Sequence, residues 1–421
     1  MPAPLYVSTR GGGGPVPFRD ALLTGLAPDG GLYVPTHVPA LPEGWEGAPS
    51  LAALGADVLA PWLPEVAGLA DLVADALSFP VPLVALDGDW AGVHILELFH
   101  GPTLSFKDVG ARTMARLMAD ALDGEDVTIL AATSGDTGSA VADGFAGVPG
   151  VCVVLLYPKD GVSAVQERQL IVARDGVQAL AVEGTFDDCQ RLVKAAFADR
   201  ARSGRRLSSA NSINIGRLLP QMLYHTWALC QLGTPATVVV PSGNLGNLTA
   251  GALARMAGLP IGGFVAAHNA NDGFARFLTG GEAPSAATVP TLSNAMDVGI
   301  PSNFERLRSL FSDDALQSLV HGETVSDAET LASMRAVHDA TGYLADPHTA
   351  VGLEAVRRLR LAGDDGPMVV LSTAHPAKFP DAVEEATGVT PEAPQRLASL
   401  WDAPTAVETI PAELEALRRF I

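Results

Sequence analysis

The sequence predicts an α/β protein with mostly parallel sheets. Short apolar runs alternate with amphipathic stretches along most of the chain after residue 80. Several runs are apolar throughout or nearly so, as in Val151–Leu156, Met368–Leu371 and, with Thr128 as its one polar residue, Val127–Ala131, which is the pattern of strands covered on both faces. Turns rich in glycine and hydroxyl residues follow directly after several of these strands, where ligands collect in parallel α/β sheets.

Taken in order, residues up to about Pro35 read as short strands and turns, and 35–49 as a proline-rich connection. Leu51–Ala60 and Pro64–Ala76 have helical spacing. Phe79-Pro80-Val81-Pro82 marks a domain boundary. Val93–Phe99 alternates as a strand, and His100-Gly101-Pro102 breaks it. From about Phe106 a helix begins, with Met114, Leu117, Met118, Ala121 and Leu122 on its apolar face and Thr103 or Ser105 as its cap. Strands are then expected at 127–131, 151–156, 177–182, 237–240, 261–266 and 368–371. Helices are expected to about Phe145 and over 163–173, 186–201, 218–232 and 248–257. Residues 280–291, 363–367 and 380–394 read as loops, and 411–421 as a terminal helix.

The chain has 421 residues, of which 48% are hydrophobic, with a mean hydropathy of +0.24, so a large core is available. The longest apolar run, 151–157, is far too short to cross a bilayer, and no membrane partner is expected. The N-terminus lacks a basic region followed by an apolar stretch, so no secretory signal is expected. Cys152, Cys189 and Cys230 are far apart and form no CxxC pair, which fits a reducing cytoplasm. A net charge of −20 repels nucleic-acid phosphates, so that partner is not expected either. Any anion site must be made locally positive by N–H groups, helix ends or arginines.

The chain contains four lysines: Lys107, Lys159, Lys194 and Lys378. Lys107 stands in the first turn of its helix. There the positive dipole end and burial both favour the neutral amine, a form that only about one lysine in 2,500 adopts unperturbed at pH 7. That is the setting of an amine nucleophile. Gly243-Asn244-Leu245-Gly246-Asn247 lies between a strand and a helix and suits a phosphate, although an ordinary βα turn has the same look. Ser134-Gly135-Asp136-Thr137 is a second such turn, fit for a carboxylate or phosphate; Asp136 as a plain helix cap is the alternative. Ser372–Lys378 follows a buried strand with hydroxyls and His375, and Asp346-Pro347-His348-Thr349 precedes a helix. In both the structural reading is the simpler one. GxSxG, HExxH and paired Cys/His sets are missing from the sequence, so serine-hydrolase and metal readings lack support. An amine nucleophile with two anion loops suits pyridoxal 5'-phosphate, which carries an aldehyde and a phosphate.

From Tyr6 to about Asp381 the chain resembles the threonine synthase family, in the short form of bacteria and fungi. The segments that carry the resemblance are YVSTRG, DGGLYVP, LELFHGPTLSFKD, ATSGDTGSA, GTFDDCQ, NSINIGR, VPSGNLGN, LSNAMD, SNFERL, DPHTAVG and STAHPAKFPD. The resemblance implies a PLP-dependent enzyme of fold type II (tryptophan-synthase-β-like), with two three-layer α/β domains and a small N-terminal domain. The expected division is 1–80 for the N-terminal domain and 81–395 for the catalytic region, then a helical tail over 396–421. Within the catalytic region, a large domain takes about 81–127 and 215–395, and a small one about 128–214.

The implied reaction converts O-phospho-L-homoserine and water to L-threonine and phosphate. The resemblance makes Lys107 the Schiff-base lysine, and then the base for the substrate's α-proton. It makes Gly243, Asn244, Leu245, Gly246 and Asn247 the cofactor-phosphate loop, and Thr373 the hydroxyl near the pyridine nitrogen. Ser134, Gly135, Asp136 and Thr137 fall on the substrate side, with Asn211, Ser212, Asn214 and Arg217 as candidates for the substrate phosphate. Asn247 departs from the aspartate often found there in relatives; it is expected to donate to the phosphate. A cytoplasmic monomer or small homo-oligomer is expected, without the long N-terminal extension of plant relatives or control by S-adenosylmethionine. Two rivals are a serine or threonine dehydratase of the same fold and a catalytically silent phospholigand-binding relative.

Overall fold

The computed structural model describes residues 2–133, 135–199, 206–285 and 287–421. A two-stranded antiparallel pair joins β1 (Tyr6–Ser8) to β2 (Tyr33–Pro35). A six-stranded sheet runs in the order β11 (Val320–Thr324), β10 (Ile261–His268), β9 (Ala236–Pro241), β12 (Met368–Ser372), β4 (Val93–Glu97) and β3 (Leu83–Ala85). Its strands are parallel except β3, which pairs antiparallel to β4. A five-stranded, all-parallel sheet runs in the order β13 (Val407–Pro411), β7 (Val177–Glu183), β6 (Val151–Pro158), β5 (Val127–Ala132) and β8 (Arg206–Ser208).

Both sheets are covered on both faces, and strand periodicity shows it. Val238 and Val240 of β9 pack into one apolar cluster with Leu248 and Leu253, while Val239 packs into another with Val351 and Leu353. In the second sheet Ile129 and Leu155 face the first of these clusters. Leu130 and Leu156 face a third, built on Cys189, Leu192 and Ile410.

The structure alters several expectations. The helix expected over 64–76 starts only at Leu69, after Gly68 in the left-handed region. Pro220 divides the helix expected over 218–232 into Ile215–Leu218, a tight turn and Met222–Leu232. Residues 380–387, expected as loop, form a helix with Pro380 in its first turn, where a missing N–H costs nothing. The helix from Phe186 ends at Ala198, and the rest of its expected length, 200–201, lies outside the described residues. The tail expected to be helical supplies β13 to the second sheet and buries Ile410 and Leu417 completely; its only α-helical turns are Gln395–Ala398 and Leu414–Leu417. Ile410 is the one buried side chain of β13, too little alternation to mark a strand in the sequence.

The N-terminal segment is fastened by charge. Arg10 binds Glu305 through two parallel bonds of 3.0 Å. Asp29 accepts from Ser8 Oγ at 2.7 Å and from the N–H groups of Gly12 and Gly31. Arg306 is fully buried, and its partners are neutral. It donates to Tyr33 O at 3.0 Å, Ser212 O at 2.9 Å and Asn303 Oδ1 at 2.7 Å, and also to Ile213 O. Burial pushes its guanidinium down to about 9, still charged at neutral pH. Replacing it with an apolar side chain strands three carbonyl oxygens. Arg306→Met is expected to cost about 3 kcal/mol, read as a lower urea midpoint; a loss below about 1 kcal/mol would contradict this role.

Candidate active site

Three neighbouring parallel strands, β9, β12 and β4, bring their carboxyl ends together. Each is followed by a loop singled out in the sequence: 242–245 after β9, 373–378 after β12, and 98–106 after β4. The last two run side by side. Leu98 N–H donates to Ser372 O at 3.0 Å, Phe106 N–H to Thr373 O at 2.9 Å, and His375 N–H to Leu104 O at 3.1 Å. Thr373 is thereby held beside the turn that leads into Lys107, the first residue of the Lys107–Leu122 helix.

The start of that helix differs from expectation. Neither Thr103 nor Ser105 caps its N–H groups. Thr103 instead gives its N–H (2.8 Å) and hydroxyl (2.6 Å) to the buried carboxylate of Asp108, and the Ser105 hydroxyl is buried with no partner among the described residues. Burial pushes Asp108 up to about 6. Gly101 is needed beside this clamp, because a Cβ there would lie 2.8 Å from Asp108 Cβ.

The second sheet faces the first through Asp136. This residue opens the Asp136–Phe145 helix after β5, a favourable place for an acid. Its Oδ2 lies 3.7 Å from Lys107 Nζ, and its Oδ1 accepts from Lys378 Nζ at 2.6 Å. Lys378 also donates to Thr103 O at 3.1 Å, and Gln166 Nε2 reaches Asp136 Oδ1 at 3.3 Å. The side chains of Lys107, Asp136 and Lys378 are 14%, 2% and 0% exposed, so of the three it is Lys107 that opens to a ligand. Burial holds the Lys107 amine below the ordinary lysine value; Asp136 opposes this, and the charges of Lys378 and Arg217 reinforce it. Burial alone would raise Asp136, but the two lysines hold it well below the usual carboxylate range. Gln166 carries no signal in the sequence; Lys378 closes the Ser372–Lys378 loop and is one of four lysines, but its role there is not legible from either.

The glycine loop is a cradle of main-chain donors. The N–H groups of residues 243–247 donate to no protein acceptor among the described residues. Leu245 takes the left-handed conformation just before the Gly246–Met256 helix, which turns successive amides inward. Gly243 allows a close approach, since a Cβ there would stand 2.9 Å from Met296 Cα. Asn244 anchors the loop. It donates to Ser212 Oγ at 2.6 Å, accepts from Ser302 N–H at 2.5 Å, and its carbonyl accepts from Asn303. His348 buttresses the other side: Ala295 N–H donates to its Nε2 at 3.1 Å, so its proton sits on Nδ1, shared with Asp346 at 2.6 Å.

Other expected residues have structural tasks. Asn247 spends one amide N–H on Pro241 O at 2.9 Å and accepts from Leu248 N–H, so it ties the helix to β9. Asn214 is a helix cap. Both its N–H bonds go to carbonyls, of Leu22 and Ser209, and its oxygen accepts from Gly216, which leaves no donor for a substrate phosphate. Arg217 is 3% exposed and donates to Ala210 O, its buried Nε beside Gly110 has no partner among the described residues, and its charge acts on Lys107. Asn211 donates to Ala132 O. Gly135 has a φ of 136° and leaves no room for a Cβ beside Gln166. The N–H groups of Asp136 and half-buried Thr137 have no acceptor among the described residues. Ser134 lies outside the described residues.

This arrangement fits pyridoxal phosphate on its own evidence: a buried amine of lowered basicity, a cradle of unused N–H groups closed by a glycine that a Cβ would displace, and Thr373 beside the amine's turn. Gly243→Ala is expected to leave the fold intact and weaken cofactor binding at least about tenfold, followed by absorbance on titrating pyridoxal phosphate. Unchanged affinity would remove the loop from the cofactor site.

Comparison with known proteins agrees over the whole chain. A family model described as pyridoxal-phosphate dependent enzyme matches residues 79–374. Models of the threonine synthase N terminus and the threonine synthase C-terminal region match residues 5–76 and 349–421. The threonine synthases of Serratia marcescens and Escherichia coli are 42% and 41% identical, each with 96% of both chains covered. The crystal structure of PLP-bound threonine synthase from Brucella melitensis superposes with a TM-score of 0.91 at 37% identity, covering 99% of this chain and 98% of that one. The Escherichia coli structure gives 0.89 at 40%, with the same coverage. Maize serine racemase, at 16% identity and a TM-score of 0.55, shares the fold alone. The chain belongs to the threonine synthase family.

Proposed function

We propose that this lyase converts O-phospho-L-homoserine and water to L-threonine and phosphate. The observation that carries the reading is the meeting of Lys107 with the glycine cradle and the Asp136 turn, in a chain that matches threonine synthases from end to end.

The Lys107 amine would hold the cofactor aldehyde, the N–H groups of 243–247 its phosphate, and the Thr373 hydroxyl its ring nitrogen. Bound there, pyridoxal phosphate supplies a sink for the electrons left when a substrate carbon loses its proton. As a free amine, Lys107 Nζ would take the substrate's α-proton and later return it. Its lowered basicity suits this work, because more of the amine is neutral at physiological pH. The Asp136 carboxylate is committed to two lysines, so the turn would take the substrate carboxylate through the N–H groups of Asp136 and Thr137, which have no acceptor among the described residues, and through the Thr137 hydroxyl. Over the whole reaction the γ-carbon exchanges its bond to phosphate for one to hydrogen, the β-carbon exchanges one hydrogen for the hydroxyl of water, and the other hydrogen of water leaves with the phosphate. No helix among the described residues is long and apolar enough to cross a membrane, and we place the enzyme in the cytoplasm.

Purified protein given pyridoxal phosphate and O-phospho-L-homoserine should release threonine and phosphate in equal amounts. Phosphate without threonine would overturn the hydration half of the reading. Ammonia from threonine, with neither product, would turn it into a dehydratase.

A further inference from the structure

The buried charges around Lys107 do not balance. Asp136 serves two lysine heads, and Lys378 has the better share, at 2.6 Å against 3.7 Å for Lys107. Lys378 is sealed from solvent, and its other bond goes to a neutral carbonyl, Thr103 O. It stands in the turn after β12, Thr103 in the loop after β4 and Asp136 after β5, so one ammonium joins three loops. Pinning those loops needs only a hydrogen-bond donor. A buried positive charge is a costly way to supply one, unless the charge itself acts.

We propose that Lys378 is a positioning residue: it draws the Asp136 carboxylate away from Lys107 and so keeps the Lys107 amine available as a neutral base. This rests on the role given to Lys107 above. The groups facing Lys107 divide by sign. Asp136 favours its charged form, as does the Phe106 ring, whose centroid lies 5.1 Å from Nζ. Lys378, Arg217 and burial favour the neutral form. His348 also faces Asp136, with its Nε2 taken up by the Ala295 N–H. Without the charge of Lys378, Asp136 is free to pair with Lys107 alone.

The scarcity of lysine makes the test direct. In the full chain freed of cofactor and labelled with ¹³C-lysine, four ¹³Cε signals are followed against pH, with exposed Lys159 and Lys194 as internal references. In the unsubstituted protein Lys107 should titrate below both references. Lys378→Gln, which keeps a donor and removes the charge, should raise the Lys107 midpoint by about one pH unit or more. Lys378→Arg should leave it near its original value. In the loaded enzyme the acid limb of the kcat profile, which reports the substrate complex where Lys107 is a free amine, should move up with Lys378→Gln. A Lys107 midpoint unmoved by Lys378→Gln would overturn the proposal. So would a midpoint equal to the references in the unsubstituted protein, which decides the matter should the Gln variant fail to fold. These titrations need no substrate, so they separate this inference from the proposed reaction. Absence of threonine formation would sink the reaction, and an unmoved midpoint the role of Lys378.

Discussion

The contact on which this site depends is the carboxylate of Asp136 held between Lys107 and Lys378. It is where the two parallel sheets meet. Two of the charges come from loops of the six-stranded sheet and one from the five-stranded sheet. Buried charges must be paired, so the two sheets are tied to each other at the point where a ligand would sit. The same pairing sets the electrostatics of Lys107. A chain of net charge −20 builds a small electropositive centre from two lysines, one arginine and the amides at two helix ends.

Around this centre the glycine cradle is held by layers of hydrogen bonds to neutral acceptors. Asn244 is gripped by Ser212, Ser302 and Asn303. Asn303 and Ser212 are gripped by Arg306, which also reaches Tyr33 in the N-terminal segment. The motifs YVSTRG, DGGLYVP and SNFERL supply these contacts and the Arg10–Glu305 pair. They form a buttress running from the N-terminal strands to the loop around residue 244. His348 does the corresponding task from the opposite side, through Ala295.

Much of this was legible in the sequence, and the reasons are physical. Strands such as β5 and β12 are buried along their whole length, so they stand out as nearly continuous apolar runs. Edge strands such as β11 and β13 mix polar and apolar residues and leave too little periodicity to see. Lys107 stood out because lysine is scarce here and because a helix start is a poor place for an idle cation. Lys378 shares that scarcity but lies in a short turn, and its partner is 242 positions away in the chain. No local pattern reveals such a pair. Asn214 shows the reverse error. A polar residue in a loop suggests a ligand, yet here its amide satisfies backbone carbonyls inside the protein.

Two lysines, one half-buried and one buried, flank one carboxylate, so which amine holds the cofactor is the central question. The direct measurement is borohydride reduction of the pyridoxal-phosphate-loaded protein, followed by peptide mapping of the modified lysine by mass spectrometry. The account predicts the label on Lys107 and none on Lys378. Label on Lys378 would exchange the roles of the two residues and contradict the site as described.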